Sequence, residues 1–315
     1  MRILPALIAF LCMISSLVHA DEWAVLGNET EPGEPWVTEP ANTTLAQQHV
    51  FRSEAVGEPV SYHVLLPPGY GDDPEQAFPV LYWLHGAGPG TIGIPWLANY
   101  YNNHMTAGRI PPMIVVFPNG LPDGMWCDSK DGSTPVESML IGDLLPHIDD
   151  QFRTLASREG RVLEGFSMGG YGAGRLGLKH PDLFCAFSMI GSGPLQLDLL
   201  VDDPNLLPLP YRRRIFQKVY GGDMAYFEAQ SPWRIAEAQA GSLPEELTIR
   251  ILIGADDYTL AGNQAFHQHL LELEIPHEYV ELPDVAHSAR DVFLALGPGN
   301  WSFYNSVLSG PGGEP

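Results

Sequence analysis

Basic residues are scarce in this sequence. Its 315 residues include 16 lysines and arginines against 38 aspartates and glutamates, which gives a formal net charge of −22 at pH 7. A strongly negative surface repels nucleic acids and anionic lipids, because both attract proteins through clustered Lys and Arg side chains. We therefore expect no nucleic-acid partner, and no binding of the mature protein to membranes.

Cysteine is rare as well, with 3 residues in the chain. That count excludes a small fold held together by disulfides. Cys127 is predicted on a loop that leaves the carboxyl end of one strand, and Cys185 near the start of another. The two ends of such a strand are roughly 15 Å apart, whereas a disulfide needs Cα atoms within about 7 Å. We expect Cys127 and Cys185 to remain unpaired.

A long apolar run occurs once, at Ile3–Leu17, behind Arg2 and ahead of Val18-His19-Ala20. This order is typical of a secretory signal peptide, here Met1–Ala20 with cleavage after Ala20. The run is too short to cross a membrane comfortably. Cleavage removes one positive charge and no negative one, so the formal charge of −22 becomes −23. We expect the mature protein to be secreted or periplasmic.

The rest of the chain predicts one large domain. Residues 21–48 lack periodicity and are predicted to form an extended arm or linker, 49–309 the folded domain, and 310–315 a disordered tail. Strands and helices alternate over 49–309, which predicts an α/β fold with a mostly parallel sheet and helices on both faces. Strands are predicted within 49–66 and at Phe78–Leu84, Met113–Phe117, Arg161–Phe166, Phe184–Ile190, Leu247–Ile253 and Glu278–Leu282. Helices are predicted at Ile94–Ala107, Val136–Phe152, Tyr211–Ala240 in pieces, Asn263–Leu273 and Ala289–Val307.

The strongest motif is Gly165-Phe166-Ser167-Met168-Gly169, a G-x-S-x-G pattern between a predicted buried strand and a small-residue helix. It is typical of a nucleophile elbow, a tight turn that exposes a serine hydroxyl. Glycines two residues to either side of Ser167 let the strand and helix approach without Cβ clashes. The backbone N–H of Met168 is then predicted at a helix N-terminus, where it would stabilise an oxyanion.

A serine nucleophile needs a histidine base oriented by a carboxylate, and after an elbow these follow in the order acid, then histidine. Asp256 and Asp257 follow one predicted strand, and His287 follows the next. From position alone both aspartates stay open as the acid. Less favoured alternatives, which are predicted elsewhere on loops, strands or helices, are Asp198, Asp202 and Asp203 for the acid and His267, His269 and His277 for the base.

The second donor of an oxyanion hole is expected on the glycine-rich loop His85-Gly86-Ala87-Gly88, which follows the predicted strand ending at Leu84. Missing side chains let this backbone approach a substrate. We predict the N–H of Ala87 as the partner of the Met168 N–H. We interpret His85 as a structural residue that holds the loop by hydrogen bonds.

Four stretches together resemble the esterase D / putative esterase family, which includes feruloyl and acetyl-xylan esterases, S-formylglutathione hydrolases and mycolyltransferases. They are YHVLLPPGY at Tyr62–Tyr70, PVLYWLHG at Pro79–Gly86, LLPHIDDQFRT at Leu144–Thr154 and GFSMGGYGA at Gly165–Ala173. The similarity covers roughly residues 49–307.

The resemblance implies the α/β-hydrolase fold and selects among the candidate residues. Family members carry the acid as the fourth residue of a G-x-x-D turn, which corresponds to Asp257. Their histidine corresponds to His287, although Ala286 replaces the common preceding glycine. The oxyanion donor after His-Gly corresponds to Ala87.

Glu164 departs from the family pattern, which has a small or apolar residue before the elbow. A buried carboxylate is costly unless it is hydrogen-bonded, so we favour a structural role for Glu164 and keep an indirect influence on the site as the alternative. Trp96, Trp126 and Trp233 are candidates for lining a substrate pocket, with core packing the alternative for each.

These observations predict an exported serine carboxylic ester hydrolase that acts through an acyl-enzyme on a small-molecule or polysaccharide ester. The resemblance and the signal peptide favour acyl or feruloyl esters of carbohydrates over S-formylglutathione, a cytosolic substrate. The alternatives are an acyltransferase with the same acyl-enzyme and a non-catalytic carbohydrate-binding relative. The sequence has no HExxH motif and no His/Asp cluster at ligand spacing, so we expect neither a metal nor another cofactor.

Overall fold

An eight-stranded sheet runs through the computed structural model, which describes residues 35–203 and 206–308. The predicted signal peptide Met1–Ala20 and the predicted tail 310–315 lie outside the described residues. The strand order is β1-β2-β4-β3-β5-β6-β7-β8. β1 pairs with β2, and β2 with β4, in antiparallel fashion, whereas every pairing from β4 through β8 is parallel. The predicted mostly parallel sheet is therefore confirmed.

The strands are β1 (Ala46–Arg52), β2 (Pro59–Leu65), β3 (Val80–Leu84), β4 (Ile114–Pro118), β5 (Arg161–Phe166), β6 (Ala186–Ile190), β7 (Thr248–Gly254) and β8 (Glu278–Leu282). The helices are α1 (Ile94–Thr106), α2 (Val136–Ser138), α3 (Leu145–Gln151), α4 (Met168–Lys179), α5 (Leu209–Lys218), α6 (Met224–Gln230), α7 (Pro232–Gln239), α8 (Leu260–Glu272), α9 (Ala289–Leu296) and α10 (Pro298–Leu308).

Helices cover both faces of the sheet, and the central strands are therefore apolar at almost every position. In β3, Tyr82 and Leu84 pack into the core under α2 to α8, whereas Leu81 and Trp83 pack into the core under α1, α9 and α10. All five residues of β3 are buried. A strand buried on both faces reads as a continuous apolar run, which is why β3 was recognisable in the sequence.

Residues 21–34 of the predicted N-terminal arm lie outside the described residues, and the rest of that segment is folded onto the domain. β1 begins at Ala46, inside the segment 21–48 that the sequence assigned to an arm. Trp36 is buried, and its carbonyl accepts hydrogen bonds from the Ser61 backbone N–H at 2.8 Å and from the Asn119 Nδ2 at 2.9 Å. From residue 35 onward the chain therefore belongs to the domain. The sequence around Trp36 is rich in Pro, Glu and Thr and has no periodic pattern, so it did not indicate that this segment packs on the domain.

Two predicted helices are divided in the structure. The closing helix breaks at Gly297, whose φ of +50° ends α9 before α10 begins. The helix predicted at Val136–Phe152 contains a π-helical segment, Met139–Leu144, between α2 and α3. Pro146 lies in the first turn of α3. Proline lacks an N–H and clashes with the carbonyl four residues earlier in a regular α-helix. The wider π turn before Pro146 gives that carbonyl more room.

Both cysteines of the described region are free and buried, as predicted. Cys127 packs in the core beneath α4, and Cys185 in the core on the opposite face of the sheet. Within residues 35–203 and 206–308, no helix is long and apolar enough to cross a membrane.

Glu164 forms a buried ion pair with Arg250 that joins β5 to β7 across β6. Glu164 is fully buried, and its Oε2 lies 2.8 Å from Nη2 of Arg250, which is itself 1% exposed. The hydroxyls of Tyr101 and Tyr304 each donate to Glu164 Oε1 at 2.7 Å. The Arg250 guanidinium also lies 3.7 Å from the ring centroid of Phe303. The carboxylate thus anchors α1 and α10 to the sheet, which supports the structural role predicted for it.

Replacement of Arg250 by Met should destabilise the fold strongly, because Glu164 would remain as a buried charge without its partner. Loss of one member of a buried pair costs about 3–5 kcal/mol. The double variant Glu164→Gln/Arg250→Met should lose distinctly less stability than Arg250→Met, because no buried charge is left without a partner. Urea unfolding of the three proteins measures both effects.

Arg234→Met is the matched control, since Arg234 makes an exposed pair with Glu237 on α7. Exposed pairs contribute little, so this variant should unfold almost as the wild type does. Equal losses from Arg250→Met and Arg234→Met would contradict the role assigned to the buried pair.

Candidate active site

Ser167 occupies a strained turn between β5, which ends at Phe166, and α4, which begins at Met168. Its φ of 58° and ψ of −118° are rare for any residue with a side chain. The turn is held from both sides: the Ser167 N–H donates to the Ile190 carbonyl at 2.9 Å, and the Ser167 carbonyl accepts from the Tyr171 N–H at 3.0 Å. Such strain persists where surrounding contacts enforce it, and it is common at functional sites.

The two glycines of the motif are required by close backbone contacts. A Cβ on Gly169 would lie 1.8 Å from the Leu84 carbonyl oxygen, and one on Gly165 would lie 2.2 Å from the Gly169 carbonyl oxygen. These neighbours are backbone atoms and cannot move aside as a flexible side chain would. The close approach of strand and helix predicted for this motif is therefore present.

His287 bridges Ser167 and Asp257, so the structure brings the three predicted side chains together. His287 Nε2 lies 3.0 Å from Ser167 Oγ. On the other side of the ring, Nδ1 lies 2.9 Å and 2.8 Å from the two carboxylate oxygens of Asp257. Asp257 follows β7 and His287 follows β8, and parallel strands of one sheet bring their carboxyl ends to the same edge.

The two neighbouring aspartates, Asp256 and Asp257, have different environments in the structure. Asp257 is 5% exposed, and its Oδ1 accepts hydrogen bonds from the backbone N–H and the hydroxyl of Thr259, both at 2.8 Å. Asp256 is exposed, and the carboxylate that contacts His287 belongs to Asp257. The choice of Asp257 over Asp256, which rested on the family resemblance, agrees with this geometry.

The charge state of Asp257 determines the tautomer of His287. Burial alone would raise the pKa of Asp257, but hydrogen bonds from His287 and Thr259 outweigh it and hold the pKa below its usual value. An ionised carboxylate can only accept, so Nδ1 carries the proton that faces Asp257. In the neutral ring Nε2 then accepts from the Ser167 hydroxyl.

The alternative bases make other contacts, and the alternative acids lie on the loop after β6. His267 and His277 contact each other, with Nδ1 of the first 2.7 Å from Nε2 of the second. His269 packs against Trp233. Asp198 accepts a hydrogen bond from the Leu200 N–H at 2.8 Å. The remaining acid candidates, Asp202 and Asp203, belong to the same loop after β6.

His85 orients the loop that was predicted to supply the second oxyanion donor. Burial lowers the pKa of His85 to about 4, so the ring is neutral. Its Nδ1 lies 2.7 Å from the Gly86 carbonyl oxygen, and its Nε2 accepts from the Gly120 N–H at 3.1 Å. The carbonyl and the N–H of a trans peptide point in opposite directions. Holding the Gly86 carbonyl therefore turns the Ala87 N–H away from His85.

Ala87 and Met168 both line the same cleft as Ser167. A Cβ built on Gly86 would lie 3.3 Å from the Ser167 Cβ, so this loop runs directly beside the serine. The structure thus puts both predicted donor residues in the cleft beside Ser167, which is the placement that an oxyanion hole needs.

None of the three predicted tryptophans is among the residues that line this cleft, which corrects that expectation. Trp126 is fully buried and donates from Nε1 to the His85 carbonyl at 3.1 Å. Its ring fills the space left by two glycines, because a Cβ on Gly120 or Gly172 would lie 2.6 Å or 2.5 Å from ring atoms. Trp126 supports the loop of His85 from beneath.

The other two tryptophans are partly buried and pack against the hydrophobic core. Trp96 stacks on Tyr100, with ring centroids 5.3 Å apart, on the face of the sheet covered by α1 and α9. Trp233 donates from Nε1 to the Leu195 carbonyl and so holds the wall of the cleft without forming part of it. Composition alone offers no means of separating core tryptophans from those in a pocket.

The cleft beside Ser167 encloses about 670 Å³ of space, including its open mouth. Most of its wall comes from the loop after β6, helix α5, and Tyr258 next to Asp257, which sequence analysis had not assigned to a pocket. The main side chains are apolar or aromatic, and they include Leu195, Leu199, Leu207, Tyr211, Ile215 and Tyr258. Of these wall residues, only Tyr258 had a signal in the sequence, namely its position next to the predicted acid Asp257.

Within residues 35–203 and 206–308, no group of three or more His, Cys, Asp or Glu side chains is arranged to hold a metal ion. The groups that the site itself offers for chemistry are the serine hydroxyl, the imidazole, the carboxylate and the backbone donors around them.

Several known proteins are similar to this chain. An esterase of Mycobacterium tuberculosis is 31% identical over 258 residues, which cover 74% of this chain and 54% of that relative. The chain thus spans about half the length of this curated relative. A protein named endo-1,4-beta-xylanase/feruloyl esterase from Xylanibacter ruminicola is 33% identical over 155 residues, or 47% of this chain and 21% of the relative.

Among solved structures, a ferulic acid esterase superposes with a TM-score of 0.67 at 21% identity, over 84% of this chain and 98% of that one. An S-formylglutathione hydrolase from Agrobacterium tumefaciens superposes with a TM-score of 0.66 at 19% identity, over 86% of this chain and 99% of that one. The predicted α/β-hydrolase fold is confirmed by these neighbours. Residues 53–272 match the family described as "Putative esterase", and this chain is therefore a member of that esterase family.

Proposed function

We propose that this protein is a serine carboxylic ester hydrolase that acts through an acyl-enzyme. The observation that carries the proposal is the position of His287, whose two ring nitrogens lie within hydrogen-bonding distance of Ser167 Oγ and of the Asp257 carboxylate. A protein that only binds carbohydrate has no need for this arrangement on a strained serine turn. Family membership and the esterase relatives support the same activity.

In the first half of the reaction, Ser167 Oγ attacks the ester carbonyl carbon while His287 Nε2 takes the serine proton. The carbonyl oxygen becomes negative and accepts hydrogen bonds from the backbone N–H groups of Ala87 and Met168. The bond between the carbonyl carbon and the alcohol oxygen then breaks. The departing alcohol takes the proton from His287 and leaves an acyl group on Ser167.

In the second half, water attacks the acyl-serine and gives its proton to His287 Nε2. Collapse of this intermediate releases the acid and returns the proton to Ser167 Oγ. Asp257 stays ionised throughout, since its hydrogen bonds from Thr259 and His287 stabilise the carboxylate. It holds the Nδ1–H tautomer and stabilises the imidazolium that forms twice in each cycle.

For the substrate, we infer acyl or feruloyl esters of carbohydrates. The apolar and aromatic wall of the cleft suits an aryl or alkyl acyl group beside Ser167. Feruloyl esterase activity is named for one relative and for structural neighbours. Secretion or delivery to the periplasm, inferred from residues 1–20, would bring the enzyme to such polymers.

Ser167→Ala should leave the fold intact and lower ester turnover by about 10⁴-fold or more. Mass spectrometry after treatment with a fluorophosphonate should find one adduct on the wild type, at Ser167, and none at this position in the variant. Turnover is measured with a panel of aryl and sugar esters. Full activity of the alanine variant, or an adduct on another residue, would refute the assignment of the nucleophile.

Asp257→Asn should be far more damaging than Asp256→Asn. The first replaces the acceptor of the His287 Nδ1–H with a group that can impose the wrong tautomer, an effect of about 10⁴-fold in a comparable triad. The second changes an exposed side chain of the same size and charge one residue away, which makes it a matched control. Similar values of kcat/KM for the two variants would exclude Asp257 as the acid.

Gly191→Ala should lower kcat/KM by about 10²-fold through misplacement of the acid and base. A Cβ at this position would lie 2.9 Å from Asp257 Oδ2 and 3.4 Å from His287 Nδ1. Gly241→Ala is the control, because Gly241 also has a positive φ, of +76° against +51° for Gly191, but has open space where a Cβ would lie. Both variants put an alanine at a positive φ, and thermal unfolding measures what each substitution costs in stability. An equal loss of activity in the two would mean that strain alone is responsible.

A further inference from the structure

Tyr258 brings a second hydroxyl to the nitrogen that serves Ser167. The Tyr258 hydroxyl oxygen lies 3.4 Å from His287 Nε2, the atom that Ser167 Oγ approaches at 3.0 Å. The tyrosine ring packs on the imidazole with centroids 4.5 Å apart. Tyr258 lines the cleft and is 37% exposed, so its hydroxyl faces the space that a substrate would enter.

The sheet fixes the side from which this hydroxyl arrives. Tyr258 follows β7, whereas Ala87 follows β3, and the strand order puts β5 and β6 between them. Tyr258 therefore approaches Ser167 from the side opposite the predicted oxyanion loop. In a tetrahedral intermediate the carbonyl oxygen points into the oxyanion hole, and the alcohol oxygen must point towards His287 Nε2, which protonates it. Tyr258 is thus beside the alcohol oxygen.

The hydroxyl also retains the proton that a hydrogen-bond donor needs. Burial, with the negative charge of Asp257 next to it, raises the pKa of Tyr258 to about 12. The phenol therefore keeps its proton at neutral pH and well above it.

We propose that the Tyr258 hydroxyl is a catalytic hydrogen-bond donor to the alcohol oxygen of the ester as the acyl–oxygen bond breaks. This inference rests on the proposed ester hydrolysis. The bond between carbonyl carbon and alcohol oxygen breaks, the electron pair goes to the oxygen, and the proton that completes the alcohol comes from His287 Nε2. Tyr258 keeps its own proton and stabilises the negative charge that forms before the transfer is complete. In the second half-reaction the same hydroxyl contacts the incoming water.

A hydrogen bond from Tyr258 should accelerate the reaction more when the leaving oxygen carries more negative charge. An alkoxide is strongly basic and gains much from the hydrogen bond, whereas p-nitrophenolate spreads its charge over the ring and gains little. Tyr258→Phe should therefore lower kcat/KM for ethyl acetate by about tenfold to a hundredfold, the range for a hydrogen bond to a charged group. For p-nitrophenyl acetate the loss should stay within about threefold. The phenylalanine ring preserves the packing on His287.

Tyr211→Phe is the matched control, because Tyr211 lines the same cleft but its hydroxyl donates to Asp123 Oδ1 at 2.9 Å. Any loss in this variant should be the same for both esters. Thermal unfolding and the rate of fluorophosphonate labelling of Ser167 show whether Tyr258→Phe has kept its fold and its nucleophile.

An equal loss on both esters in Tyr258→Phe would mean that the hydroxyl only positions His287, and it would overturn the proposal; so would no loss on either ester. These results leave ester hydrolysis itself intact, since the wild type still turns over both substrates. If the wild type hydrolyses neither ester nor any other in the aryl and sugar panel, the proposed function fails and this inference fails with it.

Discussion

The close contact between the end of β3 and the start of α4 is the constraint on which the site depends. At Gly169 the helix backbone meets the Leu84 carbonyl so closely that a Cβ would lie 1.8 Å from its oxygen. Any side chain there would push α4 away from the sheet and displace Ser167, which directly precedes the helix. The strained serine is therefore a consequence of two segments of backbone packed at the limit that glycine allows.

A continuous set of hydrogen bonds links the far part of α4 to the predicted oxyanion loop. Arg175, which is fully buried, donates from Nη1 to the Trp126 carbonyl at 2.7 Å. Trp126 donates to the His85 carbonyl, and His85 holds the carbonyl of Gly86. The helix that presents Ser167 and the loop that carries Ala87 are thus parts of one rigid polar network. A buried network of this kind is costly unless all its members are satisfied.

The charge of Arg175 is balanced within the same region. Glu137 Oε2 lies 2.8 Å from Arg175 Nη2, and Lys179 and His180 contact the other carboxylate oxygen at 2.9 Å and 2.8 Å. Burial alone would raise the pKa of Glu137, but these partners outweigh it and hold the pKa well below its usual value. The carboxylate consequently stays ionised, and its stabilising effect is fully present above its usual pKa and is lost progressively as the pH falls below that value. The chain has only 16 basic residues, and one of them, Arg175, is buried behind the elbow.

The sequence by itself determined the order of strands and helices, the elbow at Ser167 and the histidine at His287, because each depends on local pattern. An apolar run marks a buried strand, and G-x-S-x-G marks a turn that few other residues permit. The choice between Asp256 and Asp257 needed either the family resemblance or the structure, since two adjacent aspartates differ only in which way the turn directs them. Only the tertiary structure decided the wall of the cleft, the packing of Trp96, Trp126 and Trp233 against the core, and the approach of Tyr258 to His287. Those contacts join residues that are far apart in the chain. The local sequence around a side chain does not show which distant residue it will pack against.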